Sequence, residues 1–186
     1  MQQSIINELS SIISSMEKLK DSAGDVEKIV RTCTTALKNG NKILFCGNGG
    51  SAAQAQHLAA ELVGRYKKER RAMAALSLTV DTSNITAIGN DYGYDDIFRR
   101  QLEGLGQKGD VLIGLSTSGN SKNVLLAFEL ARAMGVTTVA FTGEGGGKMK
   151  ELADICIAVP SRETNHIQEM HITLGHILCG LVEEHI

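Results

Sequence analysis

From Lys42 onward, five short apolar runs recur: Ile43–Cys46, Ala74–Leu78, Val111–Leu115, Val136–Phe141 and Ile155–Val159. They are continuous rather than strictly alternating, which is the pattern of strands buried on both faces. Helical patterns separate them, at Ser51–Arg65, Ser83–Ile88, Asp95–Leu105, Ser121–Met134 and Gly147–Leu152. A last helix, about Asn165 to Glu184, follows the only proline, Pro160. This alternation predicts an α/β chain with a parallel sheet and helices on both of its faces.

Two helices precede the first strand. Ile5, Ile6, Leu9, Ile12, Ile13, Met16 and Leu19 repeat at helical spacing. A second helix is expected from Asp25, as N-cap, to Asn39, with Gly40 ending it. Neither carries evident chemistry, and each apolar stripe needs a partner in the core or in another subunit. No linker, repeat or low-complexity tract divides the chain, so residues 1–186 read as one domain with a helical extension over about 1–39.

A chain of 186 residues with 42% hydrophobic and 22% charged residues has room for one full core. A net charge of -2 gives no footing for broad electrostatic binding to nucleic acid or an anionic membrane. Three Tyr, four Phe and no Trp leave few platforms for stacking bases. The polar start Met1-Gln2-Gln3-Ser4 lacks a cationic n-region, and no apolar run reaches membrane-spanning length. Cys33, Cys46, Cys156 and Cys179 are widely spaced, with no C-x-x-C, and read as reduced core residues of a cytoplasmic protein.

Two glycine/serine loops fall at carboxyl ends of expected strands, where doubly wound sheets bind ligands. In Ser116-Thr117-Ser118-Gly119-Asn120-Ser121, four hydroxyls sit in six residues ahead of a helix. A helix start offers unpaired N–H groups and partial positive charge, and added hydroxyls can donate to several oxygens of one phosphate. A plain Ser N-cap would need only one hydroxyl. The other loop, Gly47-Asn48-Gly49-Gly50-Ser51-Ala52, satisfies G-x-G-x-x-A, the dinucleotide fingerprint. That fingerprint wants an acid about 20 residues on, and the nearest candidate, Asp81, comes 34 residues after Gly47. Asn48 and Ser51 could equally line a sugar phosphate. There is no P-loop motif.

His57 and Glu61 lie four residues apart and so share one helix face. They could supply two metal ligands, or an acid/base group and its orienter; an ordinary exposed pair is the alternative. The last helix carries Gln168, Glu169, His171 and His176. Gln168 and His176 are separated by about 80° around the axis and roughly 12 Å along it. A His on an apolar helix is more often a satisfied core group than a ligand. Gly89-Asn90-Asp91-Tyr92-Gly93-Tyr94-Asp95-Asp96 reads as a turn between helices, in which Asn90 and Asp91 could bind sugar hydroxyls.

Taken together, these motifs resemble the sugar isomerase (SIS) domain family, and within it the phosphoheptose isomerases. The matching pieces are Cys46–Ser51, His57-x-x-x-Glu61-Leu62-x-Gly64-Arg65, Gly89–Gly93, Ser116–Ser121, Thr142-Gly143 with Gly146-Gly147, and Ile167-Gln168-Glu169 with His176. The resemblance spans nearly the whole chain. It implies a three-layer α/β/α sandwich with a five-stranded parallel sheet, and a homotetramer with active sites at subunit interfaces. It also implies one zinc ion per site, held by His57, Glu61, Gln168 and His176. Glu61 and His176 would be catalytic. Substrate would be bound by Asn48, Gly49, Gly50, Ser51, Glu61, Asn90, Asp91, Ser116, Thr117, Ser118, Ser121 and Gln168. The implied substrate is a phosphorylated seven-carbon sugar. One departure is Thr164-Asn165-His166-Ile167, where the family often has Thr-Ala-Arg-Ile. A related branch lacks the catalytic pair and binds a bacterial replication initiator; the presence of Glu61 and His176 argues for the enzyme.

Overall fold

All five apolar runs become strands of one sheet in the computed structural model, which describes residues 1–186. The strands are β1 (Ile43–Gly47), β2 (Ala75–Ser77), β3 (Val111–Ser116), β4 (Thr137–Thr142) and β5 (Ile155–Ala158). All pairings are parallel, in the order β2-β1-β3-β4-β5. The helices are α1 (Gln2–Lys18), α2 (Ala23–Lys38), α3 (Gly50–Val63), α4 (Thr82–Asp91), α5 (Ile97–Leu105), α6 (Lys122–Met134), α7 (Met149–Leu152) and α8 (Thr164–His185).

The period of two along each strand sorts side chains into two cores. Ile43, Phe45, Val111, Ile113, Leu115, Val139 and Phe141 pack with α2, α3 and α8. Leu44, Cys46, Leu112 and Ala140 pack with α5, α6 and α7. Three layers result, with the sheet buried on both faces. In β3, Gly114 lets α6 close on the sheet, since a Cβ there would lie 2.6 Å from Phe128.

The start of α2 corrects the sequence reading. Asp25 is not its N-cap but lies in the first turn, paired with Lys28 at 2.8 Å. A 3₁₀ turn, Leu19–Ser22, carries α1 almost directly into α2, so no capping side chain is needed. Likewise α4 extends through Gly89, Asn90 and Asp91, which were expected in a turn. The α1 helix buries no residue fully, and Ile5, Ile6, Leu9 and Ile13 remain exposed. No helix is long and apolar enough to cross a membrane.

Candidate active site

The chain runs from β1 outward to β2 and then returns to β3 on the other side of β1. Strand order therefore switches between β1 and β3, which opens a crevice at their carboxyl ends. Both glycine/serine loops leave the sheet there, with Gly47 in register with Leu115. Gly47 has no room for a side chain, because a Cβ would lie 2.9 Å from both the Leu115 carbonyl and the Ser51 Cβ. Gly49 turns into α3 with φ +55°, a conformation suited to glycine.

An amide pair bridges the two loops. Asn48 donates to Asn123 Oδ1 at 2.9 Å, and Asn123 donates back to Asn48 Oδ1 at 2.8 Å. The Tyr94 hydroxyl donates to the same Asn48 oxygen at 2.9 Å. Asn123 escaped the sequence reading because its partner belongs to the other loop, and its buried place in the first turn of α6 leaves no pattern. Tyr94 lay within the Gly89–Asp96 stretch, of which only Asn90 and Asp91 were expected to bind a ligand.

In the second loop, the Ser116 and Ser121 hydroxyls are 2.8 Å apart, and Ser116 and Ser118 are 3.5 Å apart. Ser121 begins α6, yet its side chain makes no capping bond. The plain N-cap role is therefore not what this serine performs. The 143–149 segment braces the loop: Gly143 N–H donates to the Thr117 carbonyl, Met149 N–H to the Gly119 carbonyl and Lys148 N–H to Asn120 Oδ1.

His57, Glu61 and His176 converge. His57 Nε2 lies 3.0 Å from Glu61 Oε1 and 2.9 Å from His176 Nε2. The contact depends on close approach of α3 and α8, permitted by Gly175, where a Cβ would lie 2.5 Å from the Leu58 side chain. Their ligating atoms all lie within 4.8 Å of one another. Tetrahedral zinc with ligands at about 2.0–2.1 Å sets neighbouring donors roughly 3.3 Å apart. Two imidazole nitrogens and a carboxylate oxygen at this spacing fit such an ion.

Gln168 stands against the start of α3, where a Cβ on Gly50 would lie 2.6 Å from its amide. Gln54 donates to its backbone carbonyl at 2.5 Å. Asn90 and Asp91 are exposed on the last turn of α4 and bond to each other at 2.7 Å rather than to either loop. Asp81, the acid that a dinucleotide site would need, caps α4 through the Asn84 N–H. Asn165 and His166 both engage Glu8 of α1, at 3.1 and 2.8 Å.

His171 is a core residue: it is buried, and Nε2 faces the Thr142 carbonyl at 3.1 Å. Burial pushes its pKa down to about 4, against a smaller opposing effect of that carbonyl. Cys179, beneath the site, is pushed up to about 12, first by burial and then by the nearby Glu61 charge. A neutral thiol there is inert. A groove of about 900 Å³ between α2, α8 and the end of α1 contains none of these site residues.

The SIS domain model matches residues 6–143. The phosphoheptose isomerase of Akkermansia muciniphila is 64% identical over 186 residues, covering all of this chain and 98% of that protein. The Rhodospirillum rubrum phosphoheptose isomerase is 57% identical over 167 residues, or 90% of this chain and 89% of that protein. The solved phosphoheptose isomerase structure from Neisseria gonorrhoeae superposes with a TM-score of 0.93 at 40% identity, covering 98% of both chains. The Francisella tularensis structure does so with a TM-score of 0.95 at 34% identity and the same coverage. The chain belongs to the SIS domain family and, within it, to the sugar-phosphate isomerases of the phosphoheptose isomerase type.

Proposed function

We propose that the protein converts sedoheptulose 7-phosphate to D-glycero-D-manno-heptose 7-phosphate through an enediolate, an early step toward nucleotide-activated heptose for cell-surface glycans. The convergence of His57, Glu61 and His176, in a chain whose second loop gathers the Ser116, Ser118 and Ser121 hydroxyls, carries this reading. Moving the carbonyl from C2 to C1 requires removal of a proton from C1, its return to C2, and transfer of a hydroxyl proton between O1 and O2. Glu61 suits the carbon proton. Its Oε1 faces His57, and Oε2 is the oxygen left to act as base. His176 would carry the hydroxyl proton between O1 and O2.

His57, Glu61 and His176 would hold zinc, with Gln168 as a fourth ligand, and zinc when bound supplies Lewis acidity toward the carbonyl oxygen. Asn48, Gly49, Gly50 and Ser51 would line the sugar, as would Asn90 and Asp91. Ser116, Thr117, Ser118 and Ser121 would hold the phosphate, with the amide ends of α6 adding positive potential. The exposed stripe of α1 supports a homotetramer in which subunits complete one another's sites. Residues 1–186 would act as one SIS domain in the cytoplasm.

The test is an NMR time course with sedoheptulose 7-phosphate and purified protein, with and without zinc. Growth of aldose heptose 7-phosphate signals is expected. No conversion by zinc-loaded protein would overturn the reading.

A further inference from the structure

Glu183 is buried near the end of α8, seven residues after His176, and so on the same helix face. A buried carboxylate needs partners, and this one has four. Oε1 accepts from the Tyr66 N–H at 3.0 Å and from Arg70 Nε at 3.1 Å. Oε2 accepts from the N–H groups of Lys67 and Lys68, both at 2.8 Å. Arg70 then donates to the carbonyls of Glu61 at 2.9 Å, Gly64 at 3.0 Å and Arg71 at 3.2 Å. The irregular segment after α3 is thus wrapped around one carboxylate and one guanidinium.

The wrapping has a consequence at the active site. It lays the Tyr66 ring nearly parallel to the His176 imidazole, with 15° between planes and 5.7 Å between centroids. Gly180 leaves the space, since a Cβ there would lie 3.2 Å from the Tyr66 ring. The His57 ring meets the same imidazole edge-on, at 69° and 5.1 Å. His176 is therefore flanked by two rings.

We infer that Glu183, acting through Arg70 and Tyr66, is a positioning residue for His176: it folds the Gly64–Arg71 segment so that the Tyr66 ring fixes the imidazole with Nε2 toward His57 and Glu61. Arg70 anchors the Glu61 end of α3 in the same network. Glu183 touches neither substrate nor metal in this role. The inference rests on the reading of His176 and Glu61 as the proton-transferring pair. A loop-closing ion pair with no bearing on His176 is the competing explanation.

Three variants separate these: Glu183→Gln, Tyr66→Leu and Tyr66→Phe. Side-chain proton resonances of His176, read in metal-free ¹³C-histidine-labelled protein, carry the ring-current shift of Tyr66. Glu183→Gln is expected to move them toward random-coil positions while thermal melting still shows a folded protein. In steady-state assays, Glu183→Gln and Tyr66→Leu are expected to lower kcat by about 10- to 100-fold, with KM within about threefold, as for other groups that orient ligating histidines. Tyr66→Phe keeps the ring and is expected to restore kcat. Unmoved His176 resonances in folded Glu183→Gln, or wild-type kcat in Tyr66→Leu, would overturn the inference. If Glu183→Gln does not fold, the Leu and Phe pair decides. If the wild-type protein turns over no heptose phosphate, the functional reading fails by itself. The resonances and the zinc affinity of the variants then decide the inference.

Discussion

His57 Nε2 lies 2.9 Å from His176 Nε2, although 119 positions separate the two residues. The same His57 nitrogen also faces Glu61 Oε1 at 3.0 Å. One nitrogen can donate only one proton, so it cannot satisfy both neighbours as a simple donor. A shared cation satisfies all three at once. Zinc is therefore expected to bind at one ion per chain. His57→Ala and His176→Ala should each weaken binding by at least about 100-fold, since even outer groups that orient ligands are worth 10–100-fold. Competition with a chromophoric chelator measures this, and unaltered zinc affinity in both variants would refute the shared site.

Glu61→Gln keeps the size and polarity of the side chain but removes its basicity. A general base contributes about 10²–10⁴ in rate. The variant should lose that factor in kcat on sedoheptulose 7-phosphate while substrate affinity changes little. Zinc content must be measured alongside, because the same carboxylate faces the metal position. Near-normal turnover would remove Glu61 from the role of base.

Ser118→Ala and Ser121→Ala test the phosphate loop. A hydrogen bond to a charged group is worth about 1.5–3 kcal/mol, or roughly 10- to 150-fold in affinity. Each variant should raise KM for the phosphorylated heptose by about that factor. Binding of unphosphorylated heptose should hardly change, and equal losses with both sugars would rule the loop out as the phosphate holder. Ser121 also bonds to Ser116, so thermal melting of each variant checks that the loop stays folded.

The sheet was legible because burial on both faces makes each strand a continuous apolar run. Even so, Gly47 and Ser116 joined their strands by one residue more than the apolar pattern showed. His57 and Glu61 could be paired from helical spacing alone. Their meeting with His176 could not, since it depends on how closely α8 approaches α3 over Gly175, a tertiary relation without a local signature. The family resemblance supplied that grouping. The Asn48–Asn123 bridge was hidden for the same reason, being set by strand order rather than by neighbours in the chain. Glu183 lies at heptad spacing from His176, but so does the exposed Glu169, so spacing alone did not mark it.

His171 makes a prediction about stability rather than turnover. Its Nδ1 has no partner, and burial holds the ring neutral with a pKa pushed down to about 4 from an ordinary 6.5. Between those values the unfolded chain binds a proton that the folded chain does not. The folded state is therefore at full advantage above about pH 6.5 and loses stability as pH falls toward 4. The loss is roughly 3 kcal/mol at most, from 1.36 kcal/mol per unit. Glu183 behaves differently: burial alone would raise its pKa, but the N–H groups of Lys67, Lys68 and Tyr66, with the Arg70 charge, hold it below the ordinary carboxylate range. Its contribution is present above the ordinary carboxylate range and is lost as pH falls through that lowered value. The decline between pH 6.5 and the carboxylate range is thus free of Glu183. His171→Gln retains an N–H donor for the Thr142 carbonyl but removes the titration. Urea unfolding of metal-free protein from pH 7 to pH 4 should show a steep decline in the wild-type protein and a flatter one in His171→Gln, even if the variant starts lower. Parallel declines would show that His171 does not control acid sensitivity.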